Sequence, residues 1–467
     1  VAVYLWIFGS LSPSLAQGLD LQAAGQGTIE KNNEITVDLG ESRPAAVALE
    51  DPTANSQAAL EAELAKLRSQ VQKLVEADEK RRADVARRPT FQPAGQVEVD
   101  YLWLTQEAAN RLTVGDAQDG VGFRRARLTA RGEGFDVIEY AIGFDFALAG
   151  KPTFLDNFIA VRDLPVLGHV RIGHYFEPFS LERLTLNRYT TFMERSLADV
   201  FAPSRNVGIM AYDTWGDFDQ GTWAIGWFRA NSDDLGRDFG DDGEWALTGR
   251  ATWLPLYDEA DGRTYLHLGA SYSWRDADQR QVRFASRPEA RAGAPASGDI
   301  PNFVDTGPIP ALHEQRLGAE LLWVRGPWSV QAEYMASAVD PLTGRSRYFQ
   351  GAYGFVSYFL TGEHRPYNKQ SATIDRVIPF ENFFRVRTED GVAQGRGAWE
   401  LAVRWSVLDL DSGSTRGGTL NDLTLALNWY LNPYTRLKWE YIRAALDRAP
   451  GGHSLAHIFG MRASIDF

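Results

Sequence analysis

TYLHLGASYSWR, residues 264–275, alternates without a break. Leu266, Leu268, Ala270, Tyr272 and Trp274 fall on one side, and His267, Gly269, Ser271, Ser273 and Arg275 on the other. Successive side chains of a β-strand point to opposite faces, so the stretch reads as a strand with one apolar and one polar face. The pattern recurs in both directions along the chain. Ile138, Tyr140, Ile142, Phe144 and Phe146 oppose Val137, Glu139, Ala141, Gly143 and Asp145. Trp399, Leu401, Val403, Trp405 and Val407 oppose Glu400, Ala402, Arg404 and Ser406, and Leu423, Leu425, Leu427, Trp429 and Leu431 oppose Thr424, Ala426 and Asn428.

A soluble sandwich would bury the apolar face and wet the polar one. A membrane barrel turns the apolar face to lipid and the polar face to a lumen. Segment length favours the barrel, because about ten residues span the hydrocarbon when tilted. So do the Trp and Tyr residues near segment ends, which suit an aromatic girdle, and the number of strands, too many for one sandwich. The alternation places strands near 96–104, 123–131, 136–147, 153–163, 167–175, 205–213, 221–230, 244–254, 264–275, 315–324, 327–336, 347–361, 397–408, 420–431, 434–444 and 457–467. The last carries Phe459, Met461, Ala463, Ile465 and Phe467 on one face. The fold class expected is all-β: a 16-stranded antiparallel transmembrane β-barrel with an inward-folded constriction loop, preceded by an N-terminal coiled-coil helix. Short turns are expected at Arg325-Gly326-Pro327 and Asn432-Pro433. Long outer loops are expected at 104–122, 176–204, 231–243, 276–314, 362–396 and 409–419. Sixteen strands leave a water channel.

Composition excludes several alternatives. The mean hydropathy is −0.30, and no apolar run reaches the roughly 18 residues of a membrane-spanning helix. There is no cysteine, hence no disulfide framework and no thiolate metal site. A net charge of −13 argues against nucleic acid as a partner. Of 48 basic residues only seven are Lys. Arg offers a planar donor fork that fits phosphate or carboxylate. The seven His are scattered, and no nucleophile elbow, phosphate-binding loop or zinc-protease motif occurs. No catalytic residue, metal or cofactor is therefore expected. Asp238, Asp241, Asp242 and Glu244 read as a solvated outer loop rather than a calcium site.

The N-terminal region divides into three. VAVYLWIFGSLSPSLA, residues 1–16, has the apolar core and small-residue end of a secretory signal peptide, though without its charged start. Residues 17–55 read as a linker. In 56–88, Leu60, Leu64, Leu67, Val71 and Leu74 are spaced 4, 3, 4, 3, a heptad seam. The barrel is expected over 91–467.

Between two strand patterns lies GHYFEPFSLERLTLNRYTTFMERSLADVFAPSRN, residues 173–206, long, irregular and dotted with Arg183, Arg188, Arg195 and Arg205. It reads as a loop folded into the barrel. Arg donors can replace the hydration of an oxyanion with charge-assisted hydrogen bonds, and several weak sites in series let the ion leave again. On the second strand Arg125, Arg127 and Thr129 share one face, so Arg124 must sit at the strand start or in a bulge. Glu182 and Glu194 are expected to pair with wall arginines and hold the loop down.

Several phrases carry a resemblance. PFSLERLTLNRYTTFMERSL at 178–197 is similar to the constriction-loop motif of the phosphate-selective porin family, the O/P-type outer-membrane porins. GFRRARLTARG at 122–132, VRFASRPEA at 282–290, YFLTGEHRPY at 358–367, GAWELAVRWS at 397–406 and the NWYLNP to KWEYI region resemble other stretches of that family. The resemblance implies a homotrimer in the outer membrane of a diderm bacterium, passing small anions, phosphate or polyphosphate first among them. It places Arg124, Arg125 and Arg195 at the central binding zone, with Asp156 flanking it. Arg183 stands where a phosphate-specific member has Lys, and Arg283 and Arg287 match rungs of an arginine ladder. Ala285 and Arg127 depart from the pattern, standing where Arg and an aromatic residue are usual. Such a family fixes anion preference more firmly than strict phosphate selectivity. The alternative is a general or carbohydrate-passing porin, with Tyr175, Tyr189 and Phe192 as aromatic slides. A barrel enzyme would need a nucleophile on the wall, and none stands out. The coiled coil would lie in the periplasm beneath the trimer, and outer-membrane lipid would surround the barrel.

Overall fold

The computed structural model describes residues 52–86, 88–147, 151–230, 235–237, 239–240, 244–291, 300–388 and 391–467. Residues 1–51, and with them the signal-peptide reading and most of the linker, lie outside this range. So do Asp238, Asp241 and Asp242.

One helix, α1 (Pro52–Ala86), carries the heptad seam. It starts at Pro52, four residues before the expected Ser56, because proline suits the first helical position, where its missing N–H is not needed. Leu64, Leu67, Val71 and Leu74 are exposed along it.

The barrel strands are β1 (Gln92–Gln106), β2 (Gly120–Gly134), β3 (Ile138–Asp145), β4 (Asn157–Leu164), β5 (Gly168–Phe176), β6 (Arg205–Trp215), β7 (Gly221–Arg229) and β8 (Trp245–Tyr257). They continue as β9 (Thr264–Asp276), β10 (Ile309–Arg325), β11 (Trp328–Pro341), β12 (Arg347–Phe359), β13 (Ala398–Ser412), β14 (Thr415–Tyr430), β15 (Thr435–Arg448) and β16 (Gly452–Asp466). Each is antiparallel to its neighbours in the sequence, and β1 pairs with both β2 and β16, so the sheet closes. At the seam Gly95 and Phe467 exchange backbone hydrogen bonds of 2.8 and 3.1 Å. The Phe467 ring lies over Gly95, where a Cβ would fall 2.3 Å from it.

Alternation sets the two faces. In β9, His267, Ser271, Ser273 and Arg275 are buried toward the lumen while Tyr272 is exposed outside. In β13, Glu400, Arg404 and Ser406 point inward, and Leu401, Val403 and Trp405 outward. The expected strand at 153–163 is broken. Thr153–Phe154 pairs with β3, and the ladder resumes at Asn157. There the Asn157 side chain donates to Gly143 O at 3.0 Å and accepts from Gly143 N at 3.1 Å. These bonds satisfy backbone groups that the broken ladder leaves open.

Two connections differ from expectation. The start of β1 and the end of β16 mark one rim, which also carries the short turns 165–167, 326–327 and 431–434. Residues 360–397 join β12 to β13 at this same rim, not at the rim of the outer loops. Residues 409–419 are not a long loop, because β13 and β14 run on into a tight hairpin turning at Gly413 and Ser414.

The inserted loops form an apolar core against part of the wall. Phe179, Phe192, Leu197 and Phe201 of loop 177–204 are buried with Phe284, Phe303 and Val304 of loop 277–308 and with Met335, Phe349, Tyr353, Leu408 and Leu410 of the wall. Segment 360–397 enters from the opposite rim. Its Tyr367, Ala372 and Ile374 pack with Leu181 of the loop and with wall residues Leu254, Tyr265, Leu322 and Val324. Where an inserted segment docks, the inner face therefore carries apolar residues among the polar ones.

Candidate functional site

Loop 177–204 is held by its own backbone groups and by charged wall residues. Ser180, at φ 68°, accepts from Arg183 N and caps the single helical turn Leu181–Leu184. Glu333 on β11 accepts from Leu181 N at 3.2 Å and from Glu182 N at 2.8 Å, which satisfies two donors at the start of that turn. Lys438 on β15 donates to Thr190 O and Phe192 O, both at 2.8 Å. Asn428 on β14 donates to Thr191 O, and Leu197 N donates to Ser406 Oγ on β13.

Two loop carboxylates complete the attachment. Glu194 accepts from Arg124 through two bonds of 2.7 and 2.8 Å and from Arg462 on β16 at 2.8 Å. Arg462 also grips Asp100 with two bonds of 2.6 Å. Burial pushes the Glu194 carboxyl up, but Arg124, Arg125 and Arg462 together outweigh it and hold it well below the usual carboxylate range. Glu182 accepts from Ser196 N and Oγ and lies 3.3 Å from Arg404 on β13. Here burial prevails over the pull of Arg404 and pushes the carboxyl up to about 7.

That value sets the sign of a pH effect. The folded state binds the Glu182 proton more tightly than the unfolded chain does. Stability from this group therefore appears as pH falls through about 7, is complete below the ordinary value of 4.5, and is lost as pH rises again. Thermal unfolding followed from pH 5 to pH 8 should show the midpoint falling, and Glu182→Gln should flatten that fall. An unchanged slope in the variant would remove Glu182 as the source.

On the other side of the loop lies a pocket. It is lined by Arg127, Thr129 and Arg131 of β2, Gln96 of β1, Leu155, Asp156, Phe176 and Arg205, and by Thr185, Leu186, Asn187, Arg188 and Arg195 of the loop. About 640 Å³ of empty space lies here, open solvent included. Five arginines and one aspartate line it, and Arg127, Arg188 and Arg205 have carboxylate partners in Asp145, Asp466 and Asp156. Arg127 donates through Nε to Asp145 at 2.7 Å, and Arg205 through Nε to Asp156 at 2.7 Å. The Nη groups of both have no protein partner among the described residues and are not buried. Arg195 donates to Glu182 O and Arg183 O, both at 3.0 Å, and burial lowers its guanidinium to about 10. The guanidinium groups of Arg205, Arg183 and Arg195 lie 3.8, 5.8 and 5.8 Å from the centre of the Phe176 ring.

The expected site residues separate accordingly. Arg127, Arg195 and Asp156 line the pocket. Arg124 and Arg125 do not: both are buried, Arg124 on Glu194 and Arg125 on Glu98. The cause is a bulge, for Glu98 pairs with Arg125 and Val99 with Phe123, which leaves Arg124 as the extra residue and re-aims it at the loop. Arg183, expected at the solute, pairs with Asp199 at 2.9 Å and donates to Asp199 O and Ala202 O. Arg283 is exposed in loop 277–308, paired with Asp305 at 2.6 Å, and Arg287 is half-buried in the same loop. Tyr175 and Phe192 are buried and form no aromatic slide. Glu244 is buried near Arg229, and no cluster of metal ligands occurs among the described residues. Arg188 and Arg205 of the inserted stretch join this lining, and so does Arg131, which no motif singled out. Arg131 shares the lumen parity of Arg127 and could have been found by it.

The family model for phosphate-selective porin O and P matches residues 91–467. The chain belongs to this family. Among its relatives, Porin O of Pseudomonas aeruginosa is 25% identical over 395 residues, 77% of this chain and 84% of that protein. A protein of Caulobacter vibrioides is 29% identical over 372 residues, 77% of this chain and 69% of its relative. Among solved structures, the outer membrane channel DcaP of Acinetobacter baumannii has a TM-score of 0.49 at 12% identity, covering 81% of this chain and 97% of that one. The protein is an outer-membrane porin, a channel rather than an enzyme.

Proposed function

We propose that this porin passes small oxyanions, phosphate or polyphosphate first among them, through the passage beside loop 177–204. The observation that carries the reading is the set of five arginines that line that passage with one aspartate. An oxyanion entering it would exchange water for the open Nη groups of Arg127 and Arg205 and then meet Arg188, Arg195 and Arg131. Each contact is partial, so the ion can leave. Arg283 and Arg287 would draw anions toward the mouth. The rim of short turns faces the periplasm by the rule for such barrels. Three chains associate, and the exposed seam of α1 is covered by two copies of itself in a periplasmic coiled coil.

Reversal potential across a chloride and then a phosphate gradient in planar bilayers tests the selectivity, with an anion preference expected in both. A cation preference would overturn the reading. Truncation before Pro89 should weaken the trimer in detergent, and a trimer of undiminished stability would remove α1 from its assembly.

A further inference from the structure

The inner face of β13, within the stretch GAWELAVRWS, is where the three inserted segments meet. Glu400 holds Arg365 of segment 360–397, and Ser406 Oγ accepts from Leu197 N of loop 177–204. Between them Arg404 is fully buried and touches both loops that enter from the opposite rim. Its Nε and Nη2 lie 3.0 and 2.6 Å from Glu289 Oε2 of loop 277–308. Its Nη1 lies 3.3 Å from Glu182 Oε1, and both Nη groups donate to Glu194 O at 3.1 Å. One guanidinium thus serves carboxylates on two loops, and it stands closer to Glu289. Burial therefore prevails at Glu182, whose carboxyl is pushed up to about 7 although Arg404 pulls it down. Glu182 leads on to the pocket, since its carbonyl accepts from Arg195 Nε at 3.0 Å and Arg195 lines the pocket.

We propose that Arg404 is a positioning residue that couples loop 277–308 to the constriction: the closeness of Glu289 sets how firmly Arg404 holds Glu182, and so where Arg195 stands. The links form one contiguous chain of polar contacts, from Glu289 through Arg404 and Glu182 to Arg195. When Glu289 draws back, the guanidinium turns wholly to Glu182 and the constriction loop closes on β13. The titratable and charged neighbours of Glu182 are Arg404, Glu333 of β11, Tyr353 of β12, and Asp199, Arg183 and Arg195 of its own loop. Of these, among the described residues, Arg404 alone holds a carboxylate of loop 277–308. On β14, Asp422 accepts from Glu289 N at 2.9 Å and Thr424 Oγ1 donates to Glu289 Oε2 at 2.7 Å.

The test follows thermal unfolding of the full chain in detergent from pH 4 to pH 9, and single-channel conductance over the same range. Each Glu289 variant is read against its own parent. In Glu289→Gln the proton of Glu182 is held less tightly, so the stability it contributes should be lost at a pH lower by about one unit or more. Glu289→Asp keeps the charge but draws it back by one methylene, and should move the loss the same way by less. Conductance should carry a step at the Glu182 titration and the step should move with it. In a Glu182→Gln background neither substitution should move either curve. Curves that stay in place in both folded Glu289 variants, conductance that ignores the titration, or equal movement in the Glu182→Gln background would each overturn the coupling. Glu289 lies outside the lining of the pocket, and the expected movement is the same whichever ion passes, so this result is separable from the anion reading.

Discussion

Replacing Arg127, Arg188 or Arg205 by Gln is expected to lower the anion-over-cation permeability ratio about fivefold each. That is the change given by roughly 1 kcal/mol, the interaction of two unit charges about 4 Å apart in water. Arg205→Gln should have the largest effect, since it also leaves Asp156, its partner at 2.7 Å, as an uncompensated negative charge beside the path. The triple variant should bring the reversal potential close to zero. Arg183→Gln serves as the contrast. Its guanidinium is committed to Asp199 and two loop carbonyls, so its loss should destabilise the loop more than it changes selectivity. The passage would be wrongly assigned if Arg183→Gln abolished anion preference while the other three left it intact. Wall arginines already neutralised by carboxylates would then be idle, and permeation would run elsewhere in the lumen.

Glu194→Gln is expected to release the constriction loop. Among the described residues Arg124 has Glu194 as its only carboxylate, and Arg462 and Arg125 share it. Removing one member of such a buried cluster costs about 3–5 kcal/mol, because charges are left without a counter-charge. The loop has other ties, to Glu333, Lys438 and Glu440, so the barrel itself should remain closed. Single-channel conductance should rise and fluctuate, and the loop should become open to proteolysis. Acid should not mimic the substitution over the ordinary carboxylate range. Glu194 has its carboxyl held well below 4.5, so the stability it contributes is present above that value and is lost only when pH falls through the depressed one. A variant with wild-type conductance and wild-type unfolding would show that Glu194 does not hold the loop.

The strands were legible because a barrel repeats one signal, period 2, and most of the wall obeys it, with bulges such as the one at Arg124 as the exceptions. The side of the membrane was legible too, but only by counting. Segment 360–397 is long and polar and so resembles an outer loop, yet it follows the twelfth strand, and an even strand must end at the rim where the chain began. At 409–419 the register shift between Asp409 and Asp411, with glycines after it, breaks the alternation although the hairpin continues. The candidate site was less legible. Adjacent Arg124 and Arg125 look equivalent in sequence, and only the bulge separates their directions. Arg183 and Arg195 sit in similar contexts, Leu-Glu-Arg and Met-Glu-Arg, and both donate to loop carbonyls, but the tertiary path of the loop pairs Arg183 closely with Asp199 and leaves only Arg195 among the residues that line the pocket. Glu182 and Glu194 precede them in the chain. What each carboxylate meets is contributed by β2, β13 and β16, which no local pattern connects to the loop.

The seam between β1 and β16 bears on the order in which the molecule is made. All other neighbours in the sheet are consecutive in the chain and can pair as hairpins, whereas Gln96 meets Asp466 only when nearly the whole barrel has been laid down. Contacts of such long range form slowly, and until they do both edge strands stay open to wrong partners. The grip on Glu194 comes from Arg124 on β2 and Arg462 on β16, which stand on either side of β1 and are brought together by closure alone. Narrowing of the pore is therefore expected to be a late event in assembly, so that an unfinished barrel has no filter and the finished one acquires it as the circle is completed.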